Sequence, residues 1–139
     1  MKLSTRSRYG IRFLLDLANH QDEGFVLLKD SAARQRISEK YLGQIVIHLR
    51  NAGLINSARG ASGGYALSRN PSQIRLDEAV EALEGPLGIV DCTDECPATE
   101  TCATKKIWEG LTLKIREYLA GYTIADLQQL EVREGDYII

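Results

Sequence analysis

The chain has 139 residues, 44% hydrophobic and 26% charged, the balance of an ordinary globular protein of one domain or a small domain with a helical appendage. No run of about 18 apolar residues occurs, which argues against a membrane-spanning helix and a membrane partner. The start, Met1 to Arg6, lacks the apolar stretch of a secretory signal, so a cytoplasmic location with reduced thiols is expected.

The net charge of −2 conceals a division. Residues 1–75 carry 12 Lys and Arg against 5 Asp and Glu, a surplus of 7, and residues 76–139 carry 5 against 14, a deficit of 9. A basic half joined to an acidic half hints at a polyanionic partner for the first, although attraction between copies of the chain would explain it too.

In chain order, Ser4 or Thr5 caps a helix on which Ile11, Leu14, Leu15 and Ala18 recur at helical spacing. Gln21 to Gly24 break it, and Phe25 to Leu27 read as a short strand. Leu28 to Arg34 form a short helix, Gln35 to Ser38 a turn, and Ser38 caps a helix from about Glu39 to Ala52. Leu42, Ile45, Val46 and Leu49 are its apolar stripe, leaving Lys40, Gly43, Gln44, Ile47 and His48 facing outward. Leu54 to Arg59 and Tyr65 to Ser68 are strand-like and are joined by Gly60-Ala61-Ser62-Gly63-Gly64.

Beyond Asn70-Pro71-Ser72 the character changes. Leu76 to Leu83 form a helix, Gly85 to Gly88 end it, and residues 91–102 make an acidic loop holding all the cysteines. A long helix, Ala103 to Leu119, follows with Ile107, Trp108, Leu111, Ile115 and Leu119 on one face. Thr123 caps a last helix, Ile124 to Leu130, and the residues from Glu131 onward are expected to fray.

Helix, short helix, turn, capped helix and glycine-tipped hairpin are the parts of a winged helix-turn-helix. The expected fold is therefore mainly α with a small β wing, the DNA-binding unit covering 1–75. Such a motif lays its second helix in the major groove with the N-terminal residues at the base edges. Here these are Ser38, Glu39, Lys40, Tyr41, Gly43 and Gln44. Lys40 and Gln44 can donate to base acceptors, and Glu39 can accept from a cytosine amino group or serve its own helix N-terminus. Arg59, beside Gly60 on a thin hairpin, suits the minor groove, where negative potential concentrates. Arg6, Arg8 and Tyr9, at the start of the first helix, can meet phosphates.

Met1-Lys2-Leu3-Ser4-Thr5-Arg6-Ser7-Arg8-Tyr9-Gly10, Leu28-Lys29-Asp30 with Ile37-Ser38 and Tyr41-Leu42, and Arg59-Gly60-Ala61-Ser62-Gly63-Gly64-Tyr65-Ala66-Leu67 resemble the IscR-type winged helix-turn-helix transcriptional regulators. The resemblance runs through the cysteine loop and Trp108 to the last helix. It implies a homodimer, crossing through the long helix, on double-stranded promoter DNA with dyad symmetry. Residues 76–139 would then hold a sensor loop, at about 85–102, and the dimerisation helices. The implied targets are operons for cluster assembly, iron or sulfur metabolism.

Cys92, Cys96 and Cys102 fall within eleven residues, and clustered cysteines in a reduced compartment point to metal or redox chemistry. Thiolates favour zinc, copper(I) or iron–sulfur clusters. The resemblance implies that the three hold a 2Fe–2S cluster. Relatives with this cofactor usually place five residues between the first two cysteines, and here there are three. Where some relatives have a ligating His three residues after the last Cys, this chain has Lys105, and where others donate from the first helix it has Arg8. Neither protonated side chain can ligate. The fourth ligand is left among Asp94 and Glu95, with Asp91 and Glu100 behind them, and His20 or His48. A zinc or thiol-redox switch stays open, as does a regulator acting with a metabolic enzyme. An enzyme is not expected, because no nucleophile–base pair, phosphate loop or cofactor fingerprint accompanies the cysteines.

Overall fold

A computed structural model describes residues 2–61, 63–92 and 95–135, with the side chains of 133–135 left aside. Among the described residues, six α-helices and a two-stranded sheet run in the order α1 (Thr5–Asn19), α2 (Leu28–Gln35), α3 (Glu39–Asn51), β1 (Ile55–Ala58), β2 (Gly64–Leu67), α4 (Leu76–Glu84), α5 (Ala103–Ala120) and α6 (Ile124–Gly135). The fold is mainly α with a β wing.

Ser4 caps α1, its hydroxyl accepting from the Ser7 N–H at 3.2 Å. The fully buried face of α1 carries Gly10, Phe13, Leu14, Leu17 and Ala18, while Ile11 and Leu15 of the expected stripe are only half-buried. The cause is tertiary: α1 is packed by α2, α3, α4, α6 and β2, so its burial wraps around the helix. Gly10 makes the α4 contact possible, because a Cβ there would lie 2.5 Å from Leu83 Cδ1. Leu42, Ile45, Val46 and Leu49 of α3 fill the core from the other side.

The segment 25–27 is not a strand. Only Val26 pairs, exchanging both backbone hydrogen bonds with Tyr65 at 2.8 Å, because Leu27 already serves as the cap of α2. That pairing explains Gly64. Its φ is +134°, and a Cβ would lie 2.2 Å from the Val26 carbonyl oxygen. In the wing, Ile55 faces Leu67 and Ala58 faces Gly64.

Ala79 and Leu83 of α4 and Ile124 of α6 belong to the same core as Phe13 and Leu49. The change of charge at residue 75 therefore falls inside one continuous packing unit. Thr123 caps α6 through a reciprocal pair, its N–H donating to Asp126 at 2.8 Å and its hydroxyl accepting from the Asp126 N–H at 3.3 Å. The expected fraying from Glu131 is corrected for 131–135, since α6 continues to Gly135, and residues 136–139 lie outside the described residues. The extra turn is held by Asn19, which donates to Glu131 at 2.8 Å and accepts from Gln128 at 3.1 Å.

Candidate nucleic-acid interface and cysteine loop

α3 is positioned by two local devices. α2 ends with Arg36 in the left-handed conformation (φ +56°), and the following Ile37 N–H returns to the Ala32 carbonyl at 3.0 Å. Ser38 then caps α3 by accepting from the Tyr41 N–H at 3.1 Å. A second tie secures α2 to α1: Arg34 grips buried Asp16 with two hydrogen bonds of 2.9 and 2.8 Å. Burial pushes the Asp16 carboxyl up, but the bonds from Arg34, with help from Gln35 at 3.3 Å, outweigh it and hold the group below its ordinary range.

Glu39, Lys40 and Gln44 project from the N-terminal half of α3, exposed and bonded to no other side chain among the described residues. Tyr41 is placed differently. Its half-buried ring stands edge-on to Tyr9 at 6.1 Å, and Arg12 covers the Tyr9 ring at 5.3 Å while donating to the Gln35 carbonyl at 2.7 Å. Tyr9 and Tyr41 thus join α1 to α3. Arg8 is exposed. Arg6 donates through Nε to the Leu83 carbonyl at 2.7 Å, which ties the base of its guanidinium to the end of α4.

Arg59 is exposed at the shoulder of the wing, followed by Gly60 at φ +100° with open space around it. Between the wing, the start of α2 and α3 runs a groove of about 370 Å³ whose charged lining is Lys29, Arg50, Arg59 and Glu39. Sequence reading missed Lys29 and Arg50, for their positions near helix ends look like any solvated surface. Only the fold brings these cations beside Arg59.

At the other end of α1, Glu84 accepts from Ser4 N at 2.7 Å, Ser4 Oγ at 2.5 Å and Ser7 Oγ at 2.6 Å. These bonds hold its carboxyl below the usual range, Ser4 first and Ser7 next, with Arg6 adding a smaller charge effect. The start of α1 is therefore latched to the last residue of α4, immediately before the cysteine-bearing segment.

Cys92 and Cys96 are exposed, and Cys102 is half-buried at the cap of α5. Cys102 Sγ lies 3.2 Å from Thr104 Oγ1, and that bond, with the Lys105 N–H, lowers the thiol pKa. Cys92 lines a cleft of about 520 Å³ with Lys105, Trp108, Glu109 and Arg116. Among the described residues no three His, Cys, Asp or Glu side chains are gathered as a metal site. Asp94 lies outside the described residues, and Glu95 is exposed. His20 ends α1 at the pole away from the Glu84 latch, with Nδ1 2.8 Å from the Asp16 carbonyl oxygen. Lys105 Nζ stands 3.8 Å from Glu109.

No helix among the described residues is long and apolar enough to cross a membrane. Residues 3–129 match the family described as Rrf2, iron-dependent transcriptional regulator. The chain is 44% identical over 132 residues to protein rrf2 of Nitratidesulfovibrio vulgaris, covering 93% of this chain and 88% of that one. In structure it is similar to CymR, the global cysteine regulator of B. subtilis, with a TM-score of 0.78, 35% identity and coverage of 94% and 98%. It is equally similar to IscR of T. potens, with a TM-score of 0.78, 38% identity and coverage of 100% and 93%. The wing, the capped helix α3 and these likenesses lead to one conclusion: the chain belongs to the Rrf2 family of transcriptional regulators, DNA-binding proteins rather than enzymes.

Proposed function

We propose that the chain acts in the cytoplasm as a homodimer on dyad-symmetric promoter DNA, with the state of its cysteine loop setting the affinity. The observation that carries this reading is α5. None of its 18 residues is buried, and Ile107 and Tyr118 are 65% and 67% exposed beside Trp108, Leu111 and Leu113. So long an apolar helix fits a second copy of itself, which would set two α3 helices across a dyad.

The donors of the loop fit a 2Fe–2S cluster in kind. Cys92, Cys96 and Cys102 are thiols open to solvent or nearly so, and iron–sulfur clusters are held by thiolates. Glu95, Asp94 or His20 would complete the set, and Glu95 is favoured by its place between the first two cysteines and its exposure. Bound there, the cluster supplies a redox centre and a covalent tie across the loop. The chain's own residues transmit the change: the loop begins at Gly85, and Glu84 holds Ser4 and Ser7 at the start of α1. A ligand shifts such an equilibrium only by its different affinity for the two states.

Anaerobic purification tests the reading. A coloured protein with equal iron and sulfide, losing its colour when any of the three cysteines is changed to Ala, is expected. A colourless protein after reconstitution overturns the cluster. A second reading, zinc binding or thiol oxidation, is favoured by the exposure of Cys92 and Cys96. Metal analysis separates the two. Titration of promoter against random DNA tests regulation itself, and equal affinity for both would overturn it.

A further inference from the structure

We propose that Ile47 reads the 5-methyl group of a thymine in the major groove, with Gly43 supplying the clearance. The inference rests on the DNA-binding reading of α3. Between residues 26 and 89, Ile47 is the only large apolar side chain left exposed among the described residues, at 48%. It cannot turn inward, because Leu42, Ile45, Val46 and Leu49 already occupy the core face of the helix. Ile47 lies on the opposite face with Lys40, Gly43 and Gln44.

Those four positions are spaced 0, 3, 4 and 7, the spacing through which a homeodomain helix reaches bases in the major groove. Helical side chains lean toward the N-terminus, so the branch of Ile47 covers the surface over Gly43 and Gln44. At Gly43 that surface is bare. The fold gives no reason for a glycine, since a Cβ there would meet only Leu28 Cδ2 at an ordinary 3.7 Å, and φ is not in the left-handed region. A glycine in a helix interior costs about 1 kcal/mol against alanine, so its reason lies outside the chain. Without a side chain at Gly43, a base edge can come close to the helix backbone between Lys40 and Ile47. Lys40 and Gln44 bring hydrogen-bonding groups to its rim, and Ile47 brings none. In the major groove only thymine presents a methyl group, so an apolar side chain at this place selects thymine.

The test uses the intact protein and an operator selected from random duplexes. Each thymine is replaced in turn by deoxyuridine, which removes the methyl and nothing else. In each half-site one replacement should weaken the wild type about three- to fivefold, the scale of one buried methyl. Ile47→Ala should bind the thymine operator more weakly by a similar factor and be indifferent to that replacement. Because Ile47 is exposed, the variant should melt as the wild type does. A flat deoxyuridine scan for the wild type, or equal sensitivity in the variant, overturns the assignment while specific binding stands. Failure to select any operator overturns both.

Discussion

α3 and α5 are both amphipathic, yet they meet opposite fates. α3 buries four apolar side chains in 13 residues and leaves a mostly polar outer face. α5 buries none in 18, although Ile107, Trp108, Leu111 and Leu113 are as apolar as anything in α3. The difference lies in what faces each helix. α3 is met by α1, α2, α4 and β1, whereas α5 packs chiefly on α4, held by Arg116 donating to Glu81 at 3.1 Å. One region is complete in a single chain, and the other leaves its apolar side chains open to the second copy proposed above.

The sharpest way to break that contrast is truncation in each helix. Leu49→Ala, at a fully buried site, should cost about 3 kcal/mol in denaturant unfolding, independent of protein concentration. Leu111→Ala should change an isolated chain by no more than about 0.5 kcal/mol, and its effect should appear as a lower dimer fraction in sedimentation. A concentration-independent loss at Leu111 equal to that at Leu49 would break the comparison.

Arg59→Ala should weaken promoter binding about tenfold without lowering the melting temperature, since the side chain is unbonded among the described residues. If Lys29 and Arg50 of the same groove meet phosphates, changing either to Ala should reduce the salt slope of binding by about 0.9. An unaltered slope for both would confine the interface to α3 and the wing tip.

Gly43→Ala should separate stability from binding. The added methyl finds room in the fold and should raise the melting temperature by about 2–5 °C, while operator affinity falls. Parallel changes in both would remove the case for close approach of the backbone to DNA.

The smallest expected effect is acid sensitivity. Asp16 and Glu84 both have carboxyls lowered from ordinary values of 3.8 and 4.5. Each therefore contributes stability that is present above those values and lost as pH falls through the lower folded pKa. Melting temperatures followed from pH 5 downward should fall less steeply in Asp16→Asn and Glu84→Gln than in the wild type.

Much of the DNA-binding unit was legible because its signals are local. Ser38 caps because of its side chain, and the α3 stripe follows from a repeat of 3.6 residues. The lone bridge at Val26 and the length of α6 were not, because both depend on residues distant in sequence, Tyr65 and Asn19. Arg6 and Tyr41 read in the sequence as DNA contacts, but nothing local showed that Arg6 Nε also bonds the Leu83 carbonyl or that the Tyr41 ring packs edge-on to Tyr9. The cysteine spacing announced metal or redox chemistry, but a ligand set is a matter of position in space, and spacing alone left the fourth donor open.

By itself the sequence determined the winged helix-turn-helix, the basic and acidic halves and the three clustered thiols, since periodicity, caps and composition act over a few residues. Only the tertiary structure decided that α4 and α6 share the core of the DNA-binding unit. It alone latched Glu84 to the start of α1, brought Lys29 and Arg50 beside Arg59, and left α5 without a buried face. These follow from close packing and from hydrogen bonds between residues as much as 80 and 112 positions apart, which no local pattern encodes.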